Sequence, residues 1–312
     1  MEYLPIRVST LRGDQKINFD VYIGINDKHI LYLRRGDSFE GGRLTRLKEK
    51  KLRKMWILND DEKNYRSYID KNLEMAYDAK SGKSIEDRSQ VVQGMQQANA
   101  EEVMDRAEDE TSYKIAKEGA SRYVEFLMKE DKALKNVLAI ENTDQNIGHH
   151  GVTVSTYAVA LAKSLGIVDP KQTQLLSLGA LLHDFAIYKA QMKVNKPIAE
   201  FTPEELKDYQ DHPMAGAKLV KDLKHFDRTV INIILEHEEC IDGSGFPKKV
   251  RESQVDPLSV LVSSCNALDR IITFEKVAPK EAMKKLMIDQ MGRHPLNHFQ
   301  ILQKIVQDAY SG

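Results

Sequence analysis

At 312 residues the chain is long enough for two domains of roughly 100 to 200 residues each, and its 41% hydrophobic and 30% charged residues are an ordinary soluble composition. With 46 basic against 47 acidic residues, the charge balance excludes a whole-protein field that would attract nucleic acid or anionic lipid. No apolar stretch approaches the roughly 20 residues that span a bilayer, and the opening MEYLPIRVST lacks the basic and apolar regions of a signal peptide. The expectation is a cytoplasmic protein with no nucleic-acid or membrane partner.

Three strand-like runs come first, "IRVSTL", "NFDVYIGI" and "HILYLRR", separated by Gly and Asn-Asp punctuation. A charged amphipathic stretch, "RLTRLKEKKLRKMWIL", follows as a solvated helix face and leads into "YRSYIDKNLEMAYDA". Residues 1–85 therefore read as a small α/β domain with a regulatory or sensory role. The polar segment "KSGKSIEDRSQVVQGMQQANAEE" marks a boundary, with a capping pattern at Ser84 and Asp87 that restarts a helix. Residues 86–139 are linker helices. Within them, 101–139 reads as one long helix placing Met104, Ala107, Thr111, Ile115, Arg122 and Phe126 on a side, suited to joining domains or pairing with its copy in a homodimer.

From residue 140 to 312 the pattern is all helical, so the fold class is α+β overall. Asn146 to Leu165 repeats Ile147, Val154, Ala158, Leu161 and Leu165 at helical spacing, with His150 on the buried face. Asp169-Pro170 starts a helix that finishes in His183-Asp184. Thr202-Pro203-Glu204-Glu205 is a capping box, His212-Pro213 introduces a further helix, the next carries Val230, Ile234 and His237 on one stripe, and another begins after Pro257.

Three imidazoles at core-facing or helix-terminal positions (His150, His183, His237) and a fourth before a helix (His212) are costly to bury without partners, at about 1 to 3 kcal/mol for each unsatisfied polar group. A metal satisfies them together. The adjacent His183-Asp184 pair suits a dinuclear site, the carboxylate bridging two ions that clamp a phosphate. Nitrogen and oxygen donors without thiolate favour iron, manganese or zinc, and the two cysteines, Cys240 and Cys265, form no CxxC pair and read as core residues.

"LLHDFAIYKAQMKVNKPIAEFTPEELKDYQDHPMAGAKLV" followed by "ILEHEECIDGSGFP" resembles the HD-GYP domain, a branch of the HD phosphohydrolases that hydrolyses cyclic di-GMP. The resemblance implies an all-α metal-binding bundle over about residues 140 to 308, with two divalent or mixed-valence ions, iron foremost. It places metal ligands on His150, His183, Asp184, His212 and His237, and on Glu238 where the family has a second His. Asp184 is the implied catalytic residue. Asn266 and Asp269 match the family's Asp-x-x-Asp helix. Asn146 replaces a Glu that holds a third ion in some members. Asp242, Gly243, Gly245 and Phe246 form the turn at the rim of the cleft, where Phe246 keeps the family's aromatic ring and lacks its hydroxyl. The ligand so implied is a cyclic dinucleotide, and the Gly-Phe-Pro loop is a surface for signalling proteins.

Other positions depart from the family. Ile187 replaces a phosphate-binding lysine, for which Lys189 substitutes only if its helix has ended, and Glu275 falls where the family has an arginine. Losing one such donor costs about 10² to 10³ in rate. Two readings follow: a weak metal-dependent phosphodiesterase, or an inactive module that binds cyclic di-GMP or a protein.

Overall fold

Tyr3–Arg7 (β1), Val21–Ile25 (β2), Lys28–Leu33 (β3) and Lys54–Leu58 (β4) pair into one antiparallel sheet in the order β1-β4-β2-β3. The computed structural model describes residues 2–13, 15–26, 28–40, 42–130 and 132–311. The stretch expected as a helix face is helical only over Arg43–Glu49 (α1) and then becomes β4. Its Met55 and Ile57 are wholly buried, and the pairings Ile6↔Met55 and Tyr22↔Trp56 make it an inner strand. A period of two over five residues, next to a run of lysines, is a weak signal that long-range pairing decides. Glu62–Tyr77 (α2) adds Tyr65 and Tyr68 to the core, each meeting Phe19 edge-on with ring centroids 5.6 Å apart.

The helix read from Ser84 and Asp87 is present as Ile85–Asp105 (α3), its first turn capped by the Ser84 hydroxyl, which accepts from Asp87 N at 3.0 Å. The chain divides into compact units Met1–Ala98 and Asn99–Gly312, a division that falls within this helix. The single helix expected over 101–139 is instead the end of α3 followed by Glu110–Lys129 (α4) and Ala133–Leu138 (α5). Asp109 interrupts it: its carboxylate accepts from Thr111 N at 3.1 Å and Ser112 Oγ at 2.6 Å, so the chain leaves the helix and starts another. The interruption also shifts the buried stripe, which runs through Tyr113, Ala116, Ala120, Tyr123 and Leu127 and leaves Ile115 exposed.

The second unit continues with Ile147–Ser164 (α6), Pro170–Leu182 (α7), Phe185–Ala190 (α8), Pro203–Val220 (α9), Arg228–Glu236 (α10), Pro257–Thr273 (α11), Pro279–Asp289 (α12) and Leu296–Ala309 (α13). The expected caps are in place, with Asp169 accepting from Gln172 N and Thr202 and Glu205 closing a capping box; Asn146 adds a further one, accepting from His149 N. His212-Pro213 starts no helix; α9 runs through both residues. Proline inside a helix removes one backbone bond but need not end it when another donor takes the freed carbonyl. Val154, Leu161, Leu176, Ile233, Leu268 and Leu302 close the core from five helices, and each wholly buried side chain contributes about 1.5 to 3 kcal/mol. Gly151 lets α6 cross α7 closely, since a Cβ there would lie 2.6 Å from the Leu181 carbonyl oxygen. That crossing brings the rings of His150 and His183 to 5.0 Å between centroids. Among the described residues no helix is long and apolar enough to cross a membrane.

Candidate metal centre

α7 ends at Leu182 and α8 starts at Phe185, so His183 and Asp184 occupy a break between helices. The break lets neighbouring side chains reach one buried point. Asp184 Oδ2 lies 3.6 Å from His150 Nε2 and 3.5 Å from His183 Nε2. Its other oxygen, Oδ1, lies 3.3 Å from His212 Nε2 and 3.5 Å from His237 Nε2. One carboxylate is thus shared by two triads, His150-His183-Asp184 and Asp184-His212-His237, all of them buried.

The outer nitrogen of each imidazole is held by the fold. Nδ1 of His183 donates to the Ala180 carbonyl at 2.7 Å, that of His237 to Ile234 at 3.0 Å, and that of His212 to Tyr209. His150 Nδ1 donates to Asp269 Oδ2 at 2.6 Å, and Thr273 Oγ1 donates to the same oxygen. These acceptors fix the tautomers and leave Nε2 lone pairs aimed at Asp184. The Tyr209 carbonyl is free for His212 because Pro213, four residues on, has no N–H to give it.

A divalent cation fits this donor set. His183 Nε2 is buried with no hydrogen-bond partner, and Nε2 of His212 faces Nε2 of His237 at 2.9 Å. Burial pushes His183 down to about 3, which keeps its imidazole neutral and able to ligate. Burial acts to raise the Asp184 carboxyl, but the surrounding imidazoles of His183, His212 and His237 outweigh it and hold it well below the usual carboxylate range. For His237 burial acts downward, and the Asp184 carboxylate overcomes it to give a net rise.

The remaining sequence-derived residues surround the triads. Asn266 Oδ1 lies 3.1 Å from His150 Nε2, while its Nδ2 donates to Glu238 Oε1 at 3.0 Å. Tyr209 OH donates to the same Glu238 oxygen. Glu238 therefore stands beside the cluster, engaged by two neutral donors, and belongs to neither triad. Asp269 braces His150. Lys189 is exposed and donates to the Asp105 carbonyl at 3.2 Å, and Ile187 is buried, so neither brings a cation to Asp184.

Asp242 Oδ1 accepts from Ser244 N at 2.9 Å and from Ser244 Oγ at 2.7 Å, and Gly243 takes a φ of +83° that favours glycine. At Gly245 a Cβ would come within 2.4 Å of Cys240 N and the Glu238 carbonyl, so the loop folds back directly on the end of the His237 segment. Phe246 is seated there, its ring centroid 5.7 Å from that of Tyr209 and 6.3 Å from that of His212. Two buried acids anchor the loop. Glu239 accepts from Lys248 N and Val250 N, and Glu236 from Lys248 Nζ and Asp256 N.

Beside the cluster opens a cleft of 380 Å³ whose walls include Tyr209, Glu238, Phe246, Arg270, Glu275 and Arg293. Sequence reasoning missed Tyr209, Arg270 and Glu239. Tyr209 stands one turn before His212 and Arg270 directly follows Asp269, so adjacency to residues already singled out was the available signal.

A family model described as HD domain matches residues 132–294. The structure is similar to that of Bd1817, an HDG"Y"P protein from Bdellovibrio bacteriovorus, with a TM-score of 0.93 and 58% identity over 98% of this chain and 100% of that one. In sequence the chain is 28% identical over 146 residues to the cyclic di-GMP phosphodiesterase PA4108 of Pseudomonas aeruginosa, covering 46% of this chain and 35% of that protein. It is 27% identical over 123 residues to the cyclic di-GMP phosphodiesterase PdeB of Borreliella burgdorferi, covering 39% and 32%. The chain spans about a third of the length of these curated relatives.

Proposed function

For a chain that belongs to the HD domain family, in its HD-GYP branch, we propose a metal-dependent protein that binds cyclic di-GMP or a related phosphodiester and hydrolyses it slowly. The observation that carries this reading is the division of the two Asp184 oxygens between His150 with His183 and His212 with His237. That division supports two ions per chain, one for each triad. The all-nitrogen and oxygen donor set favours iron, with manganese and zinc as the alternatives.

When bound, such ions supply Lewis-acid polarisation of phosphate oxygens and a water of lowered pKa. The chain's own residues do the rest. Asp184 bridges the two triads; Asp269 and three backbone carbonyls keep the imidazoles oriented; Asn266 and Glu238 close the side toward the cleft; Phe246 and Tyr209 wall it. Turnover is proposed to be slow because the buried Ile187 and the carboxylate of Glu275 stand where the family has phosphate-binding cations. The same two positions support the second reading, a module that binds the nucleotide without cleaving it.

The test is metal content after anaerobic reconstitution with iron(II) or manganese(II), together with cyclic di-GMP binding and hydrolysis, for the full chain and Asp184→Ala. Two equivalents of metal and slow hydrolysis, both lost in the variant, are expected. Binding without hydrolysis selects the second reading. Less than one equivalent of metal in the unaltered chain sinks both.

A further inference from the structure

Arg270, on α11, is buried to 6% exposure and lines the cleft beside the triads. Its guanidinium lies over the Tyr209 ring, 4.6 Å from the centroid, and 5.5 Å from that of Phe274. Among the described residues no carboxylate pairs with it, and its Nη2 is buried without a hydrogen-bond partner. The acids of the same cleft are engaged elsewhere: Glu238 by Tyr209 and Asn266, Glu275 and Asp289 by Lys285 at 3.6 and 3.2 Å. Burying a cation left this way costs more than stacking on aromatic faces returns.

Its position relative to the triads is specific. The Tyr209 ring is 4.9 Å from that of His212, and the Phe274 ring is 5.0 Å from that of His150. One aromatic ring therefore separates Arg270 from a ligand of each triad. We propose that Arg270 is the anion anchor of this cleft, its fork of N–H donors gripping phosphate oxygens of the ligand in place of the cations absent at Ile187 and Glu275. The identity of that ligand as a phosphodiester rests on the function proposed above; the anchoring of an anion does not. Arginine suits the role because its planar donors match two phosphate oxygens at once. A cleft of 380 Å³ holds part of a ligand of that class.

The test is calorimetric titration of the metal-loaded full chain with cyclic di-GMP and, separately, with inorganic phosphate, for the unaltered protein, Arg270→Met and Arg270→Lys. Methionine keeps an apolar stem against Tyr209 and Phe274, and lysine keeps the charge without the fork. Metal content and melting temperature are measured on each, and Arg270→Lys decides the matter if Arg270→Met does not fold. At least tenfold weaker binding of both probes by Arg270→Met, an intermediate value for Arg270→Lys and unchanged metal content are expected. If phosphate binds in an Arg270-dependent way and cyclic di-GMP does not bind, the anchor stands and the proposed substrate falls. If the variants bind like the unaltered chain, or the unaltered chain takes neither anion, the anchor is overturned.

Discussion

His212 Nδ1 donates to the carbonyl oxygen of Tyr209, an acceptor that is free only because residue 213 is a proline. Pro213→Ala restores a backbone N–H that competes for that oxygen. The variant is expected to be more stable without metal, by about 2 kcal/mol once the unfolded-chain entropy of proline is set against its helix cost. Its metal affinity is expected to fall about 10- to 100-fold, as for other losses of a bond that orients a ligand. Chemical denaturation and chelator competition read the two effects; a variant that loses stability and keeps its affinity contradicts the assignment.

Asp269 braces only His150, so its effect should be confined to one triad. In Asp269→Asn the amide oxygen is a weaker acceptor than the carboxylate. Chelator titration is expected to become biphasic, one equivalent leaving about 10- to 100-fold more easily and the other as before. Equal weakening of both equivalents would mean that the triads do not act separately.

Gly151→Ala tests the crossing of α6 and α7. The added Cβ meets backbone at 2.6 Å, where no flexible side chain can yield. A loss of about 1 to 3 kcal/mol is expected, together with a drop in metal content as His150 moves from His183. An intact metal content with native stability would show that the crossing tolerates the extra atom.

Acid sensitivity should arise at a second histidine pair as well as at His183, which burial also holds down. Burial pushes His294 down to about 3 and His298 to about 4, and Ser264 Oγ lies 3.4 and 2.9 Å from their Nδ1 atoms. Arg293 also acts downward on His294, and Asp242 upward. Below about pH 6.5 the unfolded chain binds protons that the folded chain refuses, so stability is full above that pH and falls as pH drops toward 4. Each imidazole contributes up to about 1.4 kcal/mol per pH unit. For metal-free protein, the slope of stability between pH 6 and 4.5 is expected to be shallower in His298→Gln than in the unaltered chain; equal slopes refute the account.

The clustered histidines were legible because they combine helix-end or core-facing positions with a compact motif, and the caps at Asp169 and Thr202 were legible from local chemistry alone. His212 was assigned to the start of a helix because a proline after it is a stop signal unless another donor takes the freed carbonyl. The break at Asp109 was hidden among charged residues that helices tolerate. β4 was hidden because its identity lies in pairing with β1 and β2. Arg270 could not stand out, since an arginine on an amphipathic helix is ordinarily solvated, and only folding shows rings around it where a carboxylate would be expected.

His150, His183, His212 and His237 are carried by α6, the end of α7, α9 and the end of α10. A cation gripped by them is a rivet through four segments that the chain alone holds by packing, and its tightening follows mass action in the free ion. The same polypeptide made in metal-depleted medium would then be a looser object, cut faster by proteases.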